Sequence, residues 1–214
     1  MLKPILATLA IAAGIAATTL TTCTSAGATD DNPITFTYGG DSITARDDSW
    51  LYQLNDDGLQ SVGGTAISGK TSAEILAAST PHSDADVLVV ELGTNDVTQQ
   101  VPESTVASNI VALANKVQAK HVLILALPPS NIEDDSRTHV NRRAAGVTQN
   151  RTLIDMAVTH NYLYVDPFSF QRAYNNAWGT NASVDGVHPT TVTNTRVASR
   201  MRVYIRQAAS LPTS

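Results

Sequence analysis

The stretch Ile34-Thr35-Phe36-Thr37-Tyr38-Gly39-Gly40-Asp41-Ser42-Ile43-Thr44 governs the reading of this chain. Residues 34–38 are β-branched and aromatic and stop at a glycine pair, the pattern of a strand entering a turn. Further along, Val87-Leu88-Val89-Val90, Val122-Leu123-Ile124-Leu125-Ala126 and Tyr162-Leu163-Tyr164-Val165 are short apolar runs bounded by polar residues or proline. Continuous rather than alternating apolarity suits parallel strands covered on both faces. Helical patterns occupy the intervals, over residues 49–54, 72–78, 103–120, 137–160 and 192–208. In the third of these, Val106, Ile110, Leu113, Ala114 and Val117 recur at helical spacing, with Pro102 at the start, where its missing amide is tolerated. Strands alternating with helices predict an α/β fold, a parallel sheet with helices on both faces. Active sites of such sheets gather beyond the carboxyl ends of the strands, so the residues directly after each strand are the ones to read for chemistry.

Four segments qualify. Ser42 follows the first strand; on a strand-to-helix turn its hydroxyl projects from the sheet edge, and the first helical amides can stabilise developing negative charge. Asp185-Gly186-Val187-His188-Pro189 sets a carboxylate and an imidazole on one turn, and a serine nucleophile needs a base together with a group that orients it. Gly93-Thr94-Asn95-Asp96 follows another strand, where an Asn amide or an unobstructed glycine amide can hold an oxyanion. In Ile67-Ser68-Gly69-Lys70-Thr71-Ser72, Gly69 precedes a helix start. Taken singly, each segment also reads as an ordinary turn or helix cap.

Taken in order, Gly40-Asp41-Ser42, Gly69, Gly93-Thr94-Asn95-Asp96 and Asp185-Gly186-Val187-His188 resemble the blocks of the SGNH (GDSL-type) serine hydrolases, over about residues 34–208. The resemblance implies a three-layer α/β/α, flavodoxin-like fold and a serine esterase or lipase. It implies Ser42, His188 and Asp185 as catalytic triad, and an oxyanion hole of the Ser42 and Gly69 amides with the Asn95 side chain. The chain departs from the family pattern at Ile43-Thr44, where a leucine is usual, and at Gly64-Thr65, where the glycine block often begins with an asparagine. None of these positions is a proposed catalytic group.

The 214 residues, 43% hydrophobic and 15% charged, suffice for one substantial core, and a single domain over residues 29–214 is expected. A net charge of −5 with no basic run longer than Arg142-Arg143 excludes an electrostatic footprint for nucleic acid. Residues 1–28 read as a secretory signal peptide: Lys3 opens it, residues 5–20 are uncharged and apolar or small, and Ala26-Gly27-Ala28 offers a cleavage site. A secreted protein without stable membrane insertion follows. The sole cysteine, Cys23, falls in this leader, where lipidation is the alternative fate, and no disulfide is expected.

No G-x-S-x-G elbow, P-loop or H-E-x-x-H is present, and His82, His121, His139 and His160 lack metal-ligand spacing; neither a metal nor an organic cofactor is expected. The expected partner is a small-molecule or carbohydrate ester, met by a monomer. Short-acyl esters, O-acetyl groups on carbohydrate among them, lead as substrates. A longer-chain lipase or lysophospholipase is the alternative within the class, and an inactive carbohydrate-binding surface module the alternative outside it. Substrate choice is expected from the loops at residues 127–135 and 174–184, with Tyr174 and Trp178 as rim aromatics and Glu133, Asp134 and Asp135 making one rim acidic and unfavourable to anions.

Overall fold

The computed structural model describes residues 32–212; the leader, its cleavage site and Cys23 lie outside the described residues. Five strands, β1 (Ile34–Gly40), β2 (Leu59–Ala66), β3 (Val87–Glu91), β4 (His121–Leu125) and β5 (Leu163–Val165), form one sheet in the order β2-β1-β3-β4-β5, with every pairing parallel. This is the flavodoxin-like α/β/α architecture, whose strand order reverses between β1 and β3.

Helices α2 (Ser72–Ala78), α4 (Glu103–Val117) and α5 (Arg142–Thr159) cover one face. Helix α6 (Thr191–Ala209) covers the other, with Trp50, Phe168 and Trp178. Short helices α1 (Ser42–Ala45) and α3 (Thr94–Thr98) follow β1 and β3 directly, and a single 3-10 turn spans Ser169–Gln171. The apolar runs are continuous because successive residues serve different layers. Val87 and Val89 pack with α6, while Leu88 and Val90 pack against α2 and α4. Each such side chain contributes about 1.5–3 kcal/mol on burial. Among the described residues no helix is long and apolar enough to cross a membrane.

Three departures from the sequence reading have physical causes. Residues 49–54 form successive turns, not a helix: the Ser49 hydroxyl donates to the Thr44 carbonyl at 2.7 Å, and Trp50, Leu51 and Leu54 turn into the core. So short a segment cannot offset helix nucleation once a side chain takes a backbone partner. Strand β2 went unread because it is an edge strand, largely polar, with Gly63 and Gly64 in its middle. Its register with β1 shifts between Phe36 and Tyr38, and a Cβ on Gly64 would sit 2.5 Å from the Tyr38 carbonyl oxygen. The pattern at residues 137–160 becomes helical only at Arg142, capped by Asn141, whose side chain accepts from the Ala144 amide. Upstream, Asp135 accepts from the Arg137 and Thr138 amides and holds a turn.

Leu113 is fully buried between α4 and the sheet, where it lies against Gly39. Leu113→Ala is expected to cost about 2–5 kcal/mol of stability with an unchanged unfolding slope, read by urea titration.

Candidate active site

Ser42 follows β1 with only a residue between, at the first position of α1, and Asp41 caps that helix through a 3.0 Å bond from the Ile43 amide to its Oδ1. The Ser42 Oγ lies 2.9 Å from His188 Nε2, and His188 Nδ1 lies 2.7 Å from Asp185 Oδ2. Asp185 Oδ1 accepts from the Val187 and His188 amides at 2.9 and 2.8 Å, so one carboxylate holds both the ring and the backbone that carries it. Partial burial pushes this carboxyl up, but the bonds from the His188 ring and from the His188 and Val187 amides outweigh it and keep Asp185 below its ordinary range. A proton on Nδ1, facing Asp185, leaves Nε2 free to accept the serine proton.

The turn carrying Asp185 and His188 is closed by Ser183, whose hydroxyl donates to the His188 carbonyl at 2.7 Å and accepts from the Gly186 amide at 2.9 Å. Gly186 sits at φ +85°, a left-handed conformation natural to glycine, and a Cβ there would press on Ile132 and Asn131. The loop at residues 127–135 therefore buttresses the turn that carries Asp185 and His188: Asn131 donates its amide to the Gly186 carbonyl at 2.8 Å.

Ser42, Gly69, Asn95 and His188 line one cavity of about 320 Å³, with Arg46, Ser68, Thr94, Arg137, Arg142 and Val187. The Asn95 Nδ2 donates to the Lys70 carbonyl at 3.0 Å, which fixes the amide and leaves its second N–H for the cavity. Gly69 has φ +78° and no atom within 4 Å of where a Cβ would stand, so its backbone faces open space. Among the described residues, neither the Ser42 nor the Gly69 amide donates to a backbone carbonyl.

Asp96 explains why Asn95 and Gly69 meet. Its buried carboxylate accepts from the Ser72 amide at 2.9 Å and the Ser72 hydroxyl at 2.6 Å, tying α3 to the start of α2 just after the Gly69 turn. Asn109 donates to the same hydroxyl at 3.0 Å. Glu91 is the second supporting residue that sequence reading passed over. It ends β3 beside Gly40, fully buried, and neither its carboxyl oxygens nor Asp41 Oδ2 makes a hydrogen bond of ordinary geometry. Burial first, then the neighbouring Asp41 charge, raises the Glu91 carboxyl well above its usual value; burial likewise raises Asp41 to about 6. Glu91 is thus the protonated member. A carboxylate interrupting the apolar run Val87 to Leu92, just before Gly93, was the available signal for it.

The anticipated rim differs from the observed one. Trp178 is buried edge-on against Phe168, and neither it nor the exposed Tyr174 lines the cavity. Glu133 pairs with Arg143 and Asp134 with His139, while Asp135 faces Arg142, so none of the three acids forms the cavity wall; three arginines do. A separate cavity of about 340 Å³ at the opposite strand ends, lined by Lys120, His121, His160 and Tyr162 among others, holds no serine. Among the described residues, no three His, Cys, Asp or Glu side chains converge as a metal site would require.

The raised carboxyls make folding pH-dependent with a definite sign. A native state that retains protons which the unfolded chain releases loses stability as pH rises from about 4, the ordinary carboxylate value, through about 6, the native value of Asp41. The lowered carboxyls, Asp185 among them, act in the opposite sense below that window. The melting temperature should therefore decline between about pH 4 and 6, with a shallower decline in Glu91→Gln, measured by calorimetry. Equal slopes in the two proteins would contradict a protonated Glu91 in the native state.

Comparison with known proteins bears on the family and the fold. A GDSL-like lipase/acylhydrolase family model matches residues 36–195. Among solved structures, a Bacteroides fragilis protein assigned as an acylhydrolase superposes with a TM-score of 0.67 at 20% identity, covering 83% of this chain and 91% of its own. A carbohydrate acetylesterase family member from Sinorhizobium meliloti gives 0.63 at 18% identity, covering 83% and 99% of the two chains. The aryl esterase of M. smegmatis gives 0.60 at 17%, covering 81% and 99%. No curated protein sequence matches the chain. At these identities the structures speak for the fold, whereas the family match runs unbroken from β1 into α6, and by it the chain belongs to the GDSL-like lipase/acylhydrolase family of serine esterases.

Proposed function

We propose that this protein is a secreted carboxylic ester hydrolase that removes short acyl groups, acetyl foremost, from polar alcohols such as carbohydrates. The observation that carries the reaction is the Ser42–His188–Asp185 chain of contacts at 2.9 and 2.7 Å, opening into a cavity shared with Gly69 and Asn95. Export is supported by the leader pattern of residues 1–28.

Ser42 Oγ attacks the ester carbonyl as His188 Nε2 takes its proton, and Asp185 stabilises the imidazolium that forms. The carbonyl oxygen becomes an oxyanion held by the Ser42 and Gly69 amides and by Asn95 Nδ2. Collapse breaks the bond to the alcohol, which leaves with the proton from His188, and Ser42 keeps the acyl group. Water then attacks the acyl-enzyme, His188 again taking the proton; the acid departs and Ser42 regains its hydrogen.

Two features favour a short acyl group. Val187 is the one aliphatic side chain lining the catalytic cavity, and a recess that shares Thr94, Arg142 and Val187 with it holds only about 20 Å³ between Val97, Leu127, Pro128 and Pro129. That is room for about one water-sized group, close to a methyl. Flanking hollows lined by Arg46, Asp47, Asp48 and Ser68 on one side, and by Thr98, Gln99, Arg137 and Thr138 on the other, offer a polar alcohol many hydrogen-bond partners.

Hydrolysis of 4-nitrophenyl esters should peak at acetate or butyrate and vanish in folded Ser42→Ala. A preference for acyl chains of eight carbons or more would overturn the short-acyl reading, since a fitting apolar site gains about 0.8 kcal/mol per methylene. Asn95→Ala should lower kcat by about 100- to 1,000-fold while the protein remains folded by circular dichroism.

A further inference from the structure

Three guanidinium groups line the catalytic cavity, and they are not equivalent. Arg46 has its own carboxylate, Asp48, at 3.0 Å. Arg137 is a surface group, its side chain 78% exposed and 3.9 Å from Asp135. Arg142 is different: its side chain is only 11% exposed, yet its best contacts are long, 3.5 Å to Asp135 Oδ2 and 3.4 Å to the Thr94 carbonyl. Asp135 is shared, since it also accepts from two backbone amides and faces Arg137. Burial pulls the Arg142 guanidinium below its ordinary value, but arginine remains charged at any physiological pH. Asp185 and Asp41 also attract it, but from beyond contact distance, so this buried cation lacks the close charge-assisted partners that normally offset desolvation.

We propose that Arg142 is the anchor of an anion subsite within the catalytic cavity, and that the preferred substrate is an ester carrying a carboxylate near the scissile bond. The inference rests on the esterase reading above and narrows its substrate class. A planar guanidinium donates two parallel hydrogen bonds to a carboxylate, a match that one singly charged group satisfies. The number of available cations points the same way. Arg46 is engaged with Asp48 and Arg137 stands largely in solvent, so Arg142 is the one buried guanidinium of the cavity without a close carboxylate, which suits a singly charged group better than a dianion. Arg137, on the open side of the cavity, reinforces attraction at longer range, where it is screened by salt.

Matched ester pairs test this. 3-Acetoxybenzoate against 3-acetoxybenzamide places the charge on the alcohol portion; 4-nitrophenyl hemisuccinate against 4-nitrophenyl butyrate places it on the acyl portion. In at least one pair the wild type should favour the anion in kcat/KM by about 10- to 100-fold, the usual size of a charge-assisted hydrogen-bonding effect. Arg142→Gln should abolish that ratio, Arg142→Lys should restore part of it, and Arg137→Gln should reduce it while weakening its salt dependence. Benzoate should inhibit the wild type competitively and benzamide should not, a readout that stands even if Arg142 variants fold poorly. Neutral esters turned over with no anionic preference in either pair would overturn the subsite and leave the esterase reading intact. Equal losses on both members of a pair in Arg142→Gln would also overturn it, by making Arg142 a general support of the site. Absence of turnover on every ester would instead strike the esterase reading itself.

Discussion

A parallel sheet can exist in water only when both faces are covered, and its strands must be joined by crossovers that return each chain to the same starting edge. Everything at the site of this protein descends from that constraint. Because all five strands run one way, their carboxyl ends share an edge, and the residues that leave β1, β2 and β3 there are Asp41-Ser42, the Gly69 turn and Gly93-Thr94-Asn95. The switch in direction between β1 and β3 opens the crevice at that edge. His188 arrives from the turn before α6, after the chain has passed β5 at the far side of the sheet. Residues distant in sequence therefore meet without any of them being part of the core.

Holding them in register requires polar groups placed where water does not reach. Asp96 binds the beginning of α2 to α3, and Glu91 with Asp41 fills the space beneath the nucleophile turn. Glu91 and Asp41 are poor contributors to stability, since two acids buried side by side favour retention of a proton over ionisation. Placement of the buried acids is instead explained by positioning: Asp41 caps the helix that begins with Ser42, and Asp96 brings Gly69 and Asn95 to one wall. The catalytic turn has its own frame in Ser183, Gly186 and Asn131, which orient Asp185 and His188 through backbone bonds. Rigid outer support of this kind lets a hydroxyl and an imidazole remain in contact before substrate arrives.

Much of this was legible in the sequence because it is local. Strands β3, β4 and β5 announce themselves by unbroken apolar runs, β1 by β-branched and aromatic residues that stop at a glycine pair, α4 by its periodicity, and the site segments by glycine turns placed near strand ends. Strand β2 was not legible, since an edge strand with a bulge and two glycines carries no apolar signal. Residues 49–54 look helical by composition but are recruited by Ser49 and Trp50 to a turn. The rim was the least readable part. Trp178 serves the core rather than the cavity, and the acids at residues 133–135 are each opposed by a basic side chain that only folding brings near. Arg142 lies at the start of α5, and nothing in its neighbours along the chain marks it as a wall of the catalytic cavity.

In the reaction proposed above, Ser42 is a nucleophile made reactive by His188. A fluorophosphonate probe transfers its phosphonyl group to an activated serine with loss of fluoride, so intact mass and peptide mapping after labelling read that property without reference to any substrate. One adduct per chain is expected, located on Ser42, with labelling slowed at least about 100-fold in folded His188→Ala, the scale of general-base assistance. Labelling at another serine, or Ser42 labelling at an unchanged rate without His188, would contradict it.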